Sequence, residues 1–362
     1  MGRLFIPTDR IGLLTAQKSI GVAHLAVNKM LAKGLEISWH LSGLKLESTP
    51  LWPEGHLYQC GFSLEDSGPA RSVIEEAGLL FEAVPSLPKS AYTLKPLKIA
   101  FFTGRGADPD FSRPLLKVLD LGGFNYSPVN DADIRSGKLA GFDVLMVPGS
   151  PDAGECYYAG LGAKGYDQIR SFIADCGHYL GVCGGAYLPL TSYNSKNPFW
   201  LNIVAATENE DLDYWRSGSG FVRCRIDNDE HPLFASLALG VSSSLNLVYW
   251  EGPSISVTGQ NVRPLAHFER LLASGAPSLR PHWDLRDNEM AIAAMNYYNP
   301  LTNEVFDKLL KNKCAFAEAD YHRHKLLLFS PHPEMGNLGS GPWAESPGFL
   351  LVFNGLFYLA SE

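Results

Sequence analysis

At 362 residues, 46% hydrophobic and 19% charged, the chain has the length for two domains and a sizeable core, and its composition excludes a disordered protein. A net charge of -8, with no run rich in Lys and Arg, excludes a general nucleic-acid binder. The six cysteines are scattered with no CxxC and no paired spacing, which reads as free thiols in a reducing cytosol rather than a disulfide framework.

In chain order, Met1–Arg10 carries an apolar run too short for a signal peptide and cut by Pro7 and Asp9. No apolar stretch is long enough to span a bilayer, so the chain is expected to be cytoplasmic and to have no membrane partner. Ile11–Leu14 reads as a strand, and Val22, Leu25, Ala26 and Met30 fall on one helical face, with Gly34 as its C-cap. Leu35–His40 alternates like a half-buried strand. A strand near Leu57–Phe62, a helix near Ala70–Ala77 and a strand near Leu79–Val84 complete a small α/β domain. The stretch Pro85–Pro96 has prolines at both ends and no period, and is the candidate linker, so domains are expected at 1–95 and 96–362. No HxxE zinc pair occurs anywhere, and neither a metal nor a cofactor is expected.

Leu97–Phe102, ending in Thr103-Gly104-Arg105-Gly106, is the opening strand and loop of a doubly wound sheet. Both GxGxxG and the Walker pattern are absent, which sets aside a phosphate loop. A helix near Arg113–Leu119, a strand near Phe124–Pro128 and the apolar Phe142–Val147 continue a βαβα rhythm that argues for a parallel sheet. The last of these runs into Pro148-Gly149-Ser150-Pro151, which is either a plain turn or a loop presenting backbone N–H groups. Tyr166–Cys176 reads as a helix. Beyond residue 190, strands are expected at Trp200–Ala205, Phe221–Ile226, Asn246–Trp250 and Met290–Asn296, mixing parallel and antiparallel segments, with a buried closing helix at Phe349–Tyr358.

The segment Tyr179-Leu180-Gly181-Val182-Cys183-Gly184-Gly185-Ala186-Tyr187 is the informative one. An apolar run stops at a cysteine flanked by glycines and a helix-compatible stretch follows, the pattern of a strand–turn–helix nucleophile elbow. Glycines let backbone approach closely at a strained turn, and a helix N-terminus favors the thiolate that attacks. A buried structural cysteine at a tight turn is the competing reading. Near the other end, the strand-like Lys325–Phe329 runs into Ser330-Pro331-His332-Pro333-Glu334, where a histidine and a carboxylate two residues apart can present a base and the group that orients it.

Elbow and HPE tail together resemble the class I glutamine amidotransferase-like superfamily over roughly Pro96 to Glu362. The resemblance implies a flavodoxin-like, doubly wound, mostly parallel α/β sheet. It makes Cys183 the nucleophile, His332 the general base and Glu334 its orienting partner, and gives the amides of Gly149 and Gly184 as oxyanion donors. The form GVCGGAY and the loop Tyr249-Trp250-Glu251-Gly252-Pro253 are most similar to the branch named for the N-terminal domain of certain biotin–protein ligases. In that branch the loop approaches the pocket, which makes Tyr249 and Glu251 candidates for substrate contact. Tyr187 stands where the family pattern has the glutamine that shapes the substrate pocket, so free glutamine is not the expected substrate.

Two functions follow as expectations. One is a cysteine hydrolase acting on an amide or related acyl bond of a small-molecule or peptide-like substrate. The other is an inactive small-molecule-binding or assembly module that keeps the pocket, with Tyr187 filling the space of a side-chain amide. A homo-oligomer is compatible with either. His231-Pro232-Leu233-Phe234 reads as a structural turn, His178 is expected at the far end of its strand from Cys183, and the spacing His322-x-His324 would put two imidazoles on one face of a strand.

Overall fold

A computed structural model describes residues 2–8, 21–41, 44–46, 56–58, 60–84, 91–191, 198–208, 217–237, 243–274, 300–335 and 346–361. The sequence-expected strands Ile11–Leu14 and Met290–Asn296 lie outside the described residues, as does the first half of the expected linker.

The N-terminal part starts with β1 (Arg3–Pro7), α1 (Val22–Ala32) and β2 (Ile37–His40), then a separate ribbon of β3 (Leu44–Leu46) and β4 (His56–Tyr58). It continues through β5 (Gly61–Glu65), α2 (Gly68–Ala77), β6 (Glu82–Val84) and β7 (Tyr92–Leu94). The sheet order is β6-β1-β5-β2-β7, antiparallel at every pairing, and β1, β2, β5 and β6 with the two helices make the split βαβ arrangement of ferredoxin-like units. One sequence expectation is corrected here: the end of the expected linker, Tyr92–Leu94, is an edge strand paired with β2. The run at Met1–Arg10, given no element from sequence, contains the internal strand β1, buried from Leu4 to Pro7. A second difference is that Leu57–Phe62 divides between β4 and β5.

The second sheet has nine strands, and its parallel half is built from β8 (Ile99–Phe102), β9 (Tyr126–Val129), β10 (Val144–Val147), β11 (His178–Val182) and β18 (His324–Phe329). These lie in the order β9-β8-β10-β11-β18, the doubly wound order of flavodoxin-like sheets. An antiparallel half continues from β18 through β17 (Cys314–Tyr321), β16 (Val262–Ser274), β13 (Ser219–Ile226) and β14 (Ser244–Trp250). Parallel and antiparallel pairings are equally represented, so the sheet is mixed rather than mostly parallel. The long strand β16 is the element that sequence reading missed. Arg263, Glu269 and Arg270 break its alternation, and register shifts interrupt its pairing on both sides. Trp200–Ala205, expected as a strand, is irregular, with β12 (Ala206–Thr207) paired to β15 (Ser256–Val257) beyond it.

Helices α3 (Pro109–Gly122) and α7 (Pro347–Leu359) cover one face of the large sheet, and α5 (Ala153–Asp175) covers the other, with the short α4 (Asp131–Arg135) beside it. Asp108 and Gly123 mark the ends of α3: the Asp108 carboxylate accepts from Asp110 N at 2.7 Å, and Gly123 takes the left-handed conformation at φ 68°. Alternate residues of the parallel strands divide between two cores, Leu180 and Leu327 on the α7 side and Tyr179 and Leu326 on the α5 side.

The N-terminal sheet shares the first of these cores. His24 of α1 stacks on Phe357 of α7 at 5.5 Å, and Phe357 also meets Trp39, Phe62 and Phe124. Because one side chain seals three layers, Phe357→Ala is expected to cost about 3–5 kcal/mol in urea unfolding. It should also speed proteolytic cleavage within residues 1–95. A loss below about 1 kcal/mol would show that the two sheets do not depend on this contact.

Candidate active site

Three adjacent parallel strands determine where the candidate residues meet. The registers Val147↔Gly181 and Val182↔Phe329 align the ends of β10, β11 and β18, so the segments that follow them emerge side by side. Those segments are Pro148–Ser150, Cys183 and Ser330–Glu334. In an open α/β sheet this carboxyl edge is where ligands bind.

Cys183 occupies the turn between β11 and the short helix α6 (Gly184–Tyr187), with φ 52° and ψ -110°. A non-glycine residue with positive φ is strained, and such strain persists only where the surroundings over-determine it. Here Cys183 N bonds to Phe329 O at 2.8 Å, Tyr179 Oη donates to Gly185 O at 2.5 Å, and Tyr157 Oη donates to Pro148 O at 2.6 Å. Glycine is needed for sterics as well. A Cβ on Gly184 would lie 2.6 Å from Ser150 N, and one on Gly185 would collide with Val147 O. The strand β11, the strained turn at Cys183 and α6 therefore form a strand–turn–helix pressed against the Pro148–Ser150 loop. As the first residue of α6, Gly184 has an N–H with no intrahelical partner.

His332 and Glu334 follow β18 directly. His332 N bonds to Val248 O at 2.8 Å, which brings the tail beside β14. Its ring Nδ1 lies 2.7 Å from Glu334 Oε1, and both side chains are fully buried. Burial alone would lower the imidazole pKa, but the Glu334 carboxylate and the nearby Cys183 side chain outweigh it, and His332 is pushed up to about 10. Among the described residues, Nε2 and Glu334 Oε2 have no hydrogen-bond partner. Cys183 Sγ donates instead to Trp250 O at 3.2 Å, and the residue is 3% exposed.

The remaining sequence candidates surround this center. Gly149 lies in the loop against the elbow, its carbonyl accepting from Asp108 N at 3.2 Å. Tyr187 stacks on Trp200 at 5.7 Å and 17°, and its hydroxyl donates to Glu251 O at 3.3 Å. Glu251 is left-handed at φ 50°, with its N–H bonded to Gly218 O at 3.1 Å. Tyr249 is fully buried, its hydroxyl bonded to Ser217 Oγ at 2.6 Å and donating to Gly252 O at 2.8 Å. The loop that carries them is anchored at Ser330, whose Oγ donates to Pro253 O at 2.7 Å.

Phe111 and the Trp250 carbonyl were not singled out from sequence. A helix that begins just after the first parallel strand of a doubly wound sheet faces the carboxyl edge, and that position is the signal for Phe111. The expected HxH pair does not share a strand face. His322, at φ 54°, is on the two-residue turn from β17 to β18, and only His324 is on β18, 5.1 Å from His178 at the end of β11 opposite Cys183. His231 caps the short 3₁₀ turn Pro232–Phe234, with Nε2 2.9 Å from Glu318 Oε2. Among the described residues no group of three or more His, Cys, Asp or Glu could hold a metal ion, and no helix is long and apolar enough to cross a membrane.

No family model matches this chain. No curated protein matches it either. Solved structures do, among them PurLQS from Thermotoga maritima at 14% identity, covering 73% of this chain and 99% of that one with a TM-score of 0.45. A glutamine amidotransferase from Thermotoga maritima matches at 8% identity, 67% and 77% coverage and a TM-score of 0.37. A putative ThuA-like protein from Bacteroides uniformis matches at 12% identity, 76% and 94% coverage and a TM-score of 0.42. Likeness at this level carries no argument about what the chain does.

Proposed function

We propose that the chain is a cysteine hydrolase of the class I glutamine amidotransferase-like type, cleaving an amide or related acyl bond in a substrate other than free glutamine. Residues 96–362 form the hydrolase part and residues 1–95 a small unit docked on it. The observation that carries this reading is the buried His332–Glu334 pair at 2.7 Å, at the end of the strand beside a strained cysteine elbow.

In the reaction, the Cys183 sulfur attacks the acyl carbon while His332, held by Glu334, keeps the proton of the pair. Charge that develops on the carbonyl oxygen is met by the amides of Gly184 and Gly149. The imidazolium then protonates the leaving amine, the C–N bond breaks and a thioester forms. His332 next takes a proton from water, whose oxygen attacks the thioester; the C–S bond breaks, the carboxylic acid leaves and the Cys183 thiolate is restored beside the protonated His332. The GVCGGAY and YWEGP segments support placing the chain near the biotin–protein ligase N-terminal-domain-like branch, with Tyr187, Tyr249 and Glu251 around the substrate.

A second reading, a binding or assembly module, is favored by the sulfur's bond to Trp250 O and its slight exposure. Iodoacetamide decides between them. In a hydrolase, wild-type Cys183 is alkylated well below neutral pH and faster than the other five cysteines, whereas in His332→Ala that reactivity at low pH is lost and the profile against pH steepens. A wild-type profile as steep as that of the variant would remove the hydrolase reading.

A further inference from the structure

The residues assigned above leave out Phe111, whose side chain meets His332, Trp250 and the loop at Gly149. Phe111, on the first turn of α3, lies face to face with the His332 ring, centroids 5.0 Å apart and planes 21° apart. Its ring is also edge-on to Trp250 at 5.7 Å and 87°, and it is the Trp250 carbonyl that receives the Cys183 thiol. A Cβ on Gly149 would lie 2.7 Å from Phe111 Cγ, so only glycine lets that loop close over the ring. The start of α3 is tied to the same loop through Asp108 N and Gly149 O.

From these contacts we propose that Phe111 is a positioning residue, which holds the plane of the His332 ring so that Nε2 stays turned toward Cys183. The inference rests on the hydrolase reading. Among the described residues the ring of His332 makes one hydrogen bond, from Nδ1 to Glu334, and one bond at one edge does not by itself fix the plane of the ring. A parallel aromatic face removes that freedom, and its negative π-surface favors the protonated ring over the neutral one. An aliphatic side chain of similar bulk would fill the space without the π-surface, which separates positioning from simple packing.

Glu334 and Cys183 act directly on the ring. The elements packed against it also carry Asp108, Asp110 and Arg113 on or beside the first turns of α3, and Tyr249 and Glu251 at the end of β14. Burial raises the carboxyl pKa values of both Asp108 and Asp110.

The test follows His332 by NMR in ¹⁵N-histidine-labeled full-length protein between pH 5 and 10.5, together with Cys183 alkylation at pH 6. Wild type, Phe111→Leu, Phe111→Met and Phe111→Tyr are compared, and thermal midpoints confirm folding, so either aliphatic variant can serve if the other is unstable. Loss of the ring is expected to lower the His332 midpoint by about half a pH unit or more and to slow alkylation severalfold, with Tyr restoring both. A folded aliphatic variant that matches wild type in both readouts would overturn the proposal, as would a Tyr variant no better than Leu. Failure of the hydrolase reading looks different, because wild-type Cys183 would then react no faster at pH 6 than the other cysteines, while the His332 midpoint still contrasts Leu with Tyr and reports on Phe111.

Discussion

Cys183→Ala is expected to reduce turnover of any amide the protein cleaves by at least about 10³-fold. The variant should keep the fold, because Ala fits the space of a thiol that makes one weak bond, to Trp250 O. His332→Ala should fall nearly as far, and the double variant no further, since nucleophile and base act as one unit and the second removal finds nothing left to lose. Glu334→Gln should cost less. Its amide can still meet the imidazole but cannot supply the charge that keeps His332 protonated. Steady-state rates for wild type and these variants on a panel of amides, from short peptides to small acyl amides, make the measurement. Equal rates in wild type and Cys183→Ala would take the sulfur out of the mechanism.

Glu318→Gln is expected to destabilize the protein by about 3 kcal/mol at pH 7, with no loss of Cys183 reactivity. Glu318 is buried on β17, where it takes hydrogen bonds from His231 at 2.9 Å, Lys325 at 2.7 Å, Tyr358 at 3.0 Å and the Arg263 guanidinium. Burial alone would raise its pKa, but His231, Lys325 and Arg263 hold the carboxyl well below the usual carboxylate range. A folded-state value below the unfolded one contributes stability that is present above the unfolded value, near 4.5, and drains away as the pH falls below it. Urea unfolding should therefore give a gap between wild type and variant that is constant from about pH 8 to 5 and shrinks steadily toward pH 3. A gap independent of pH would mean that packing, and not the carboxylate charge, stabilizes this part of the sheet.

The buried face of the molecule was legible where local patterns were strong. Ile99–Phe102, Val144–Val147, His178–Val182 and Pro347–Leu359 fall close to where apolar runs and their breakers put them, because strands and helices buried on both sides need near-continuous apolar sequence. Less regular elements were lost for the opposite reason. β16 is thirteen residues long with register shifts on both edges, and β1 is a short apolar run that gains its meaning only from β5 and β6 on either side.

Within the site the same division holds. A cysteine between glycines after an apolar run, and a His-Pro-Glu after another, are local patterns, and by itself the sequence determined which residues could carry chemistry and in which kind of turn. Only the tertiary structure decided that the two turns end neighboring strands, that the thiol rests on the Trp250 carbonyl, and that Phe111 lies over the imidazole. The reason is that these contacts join residues 67 and more positions apart. Their geometry is set by strand order and register, which depend on the summed packing of the whole sheet and not on any short stretch of chain.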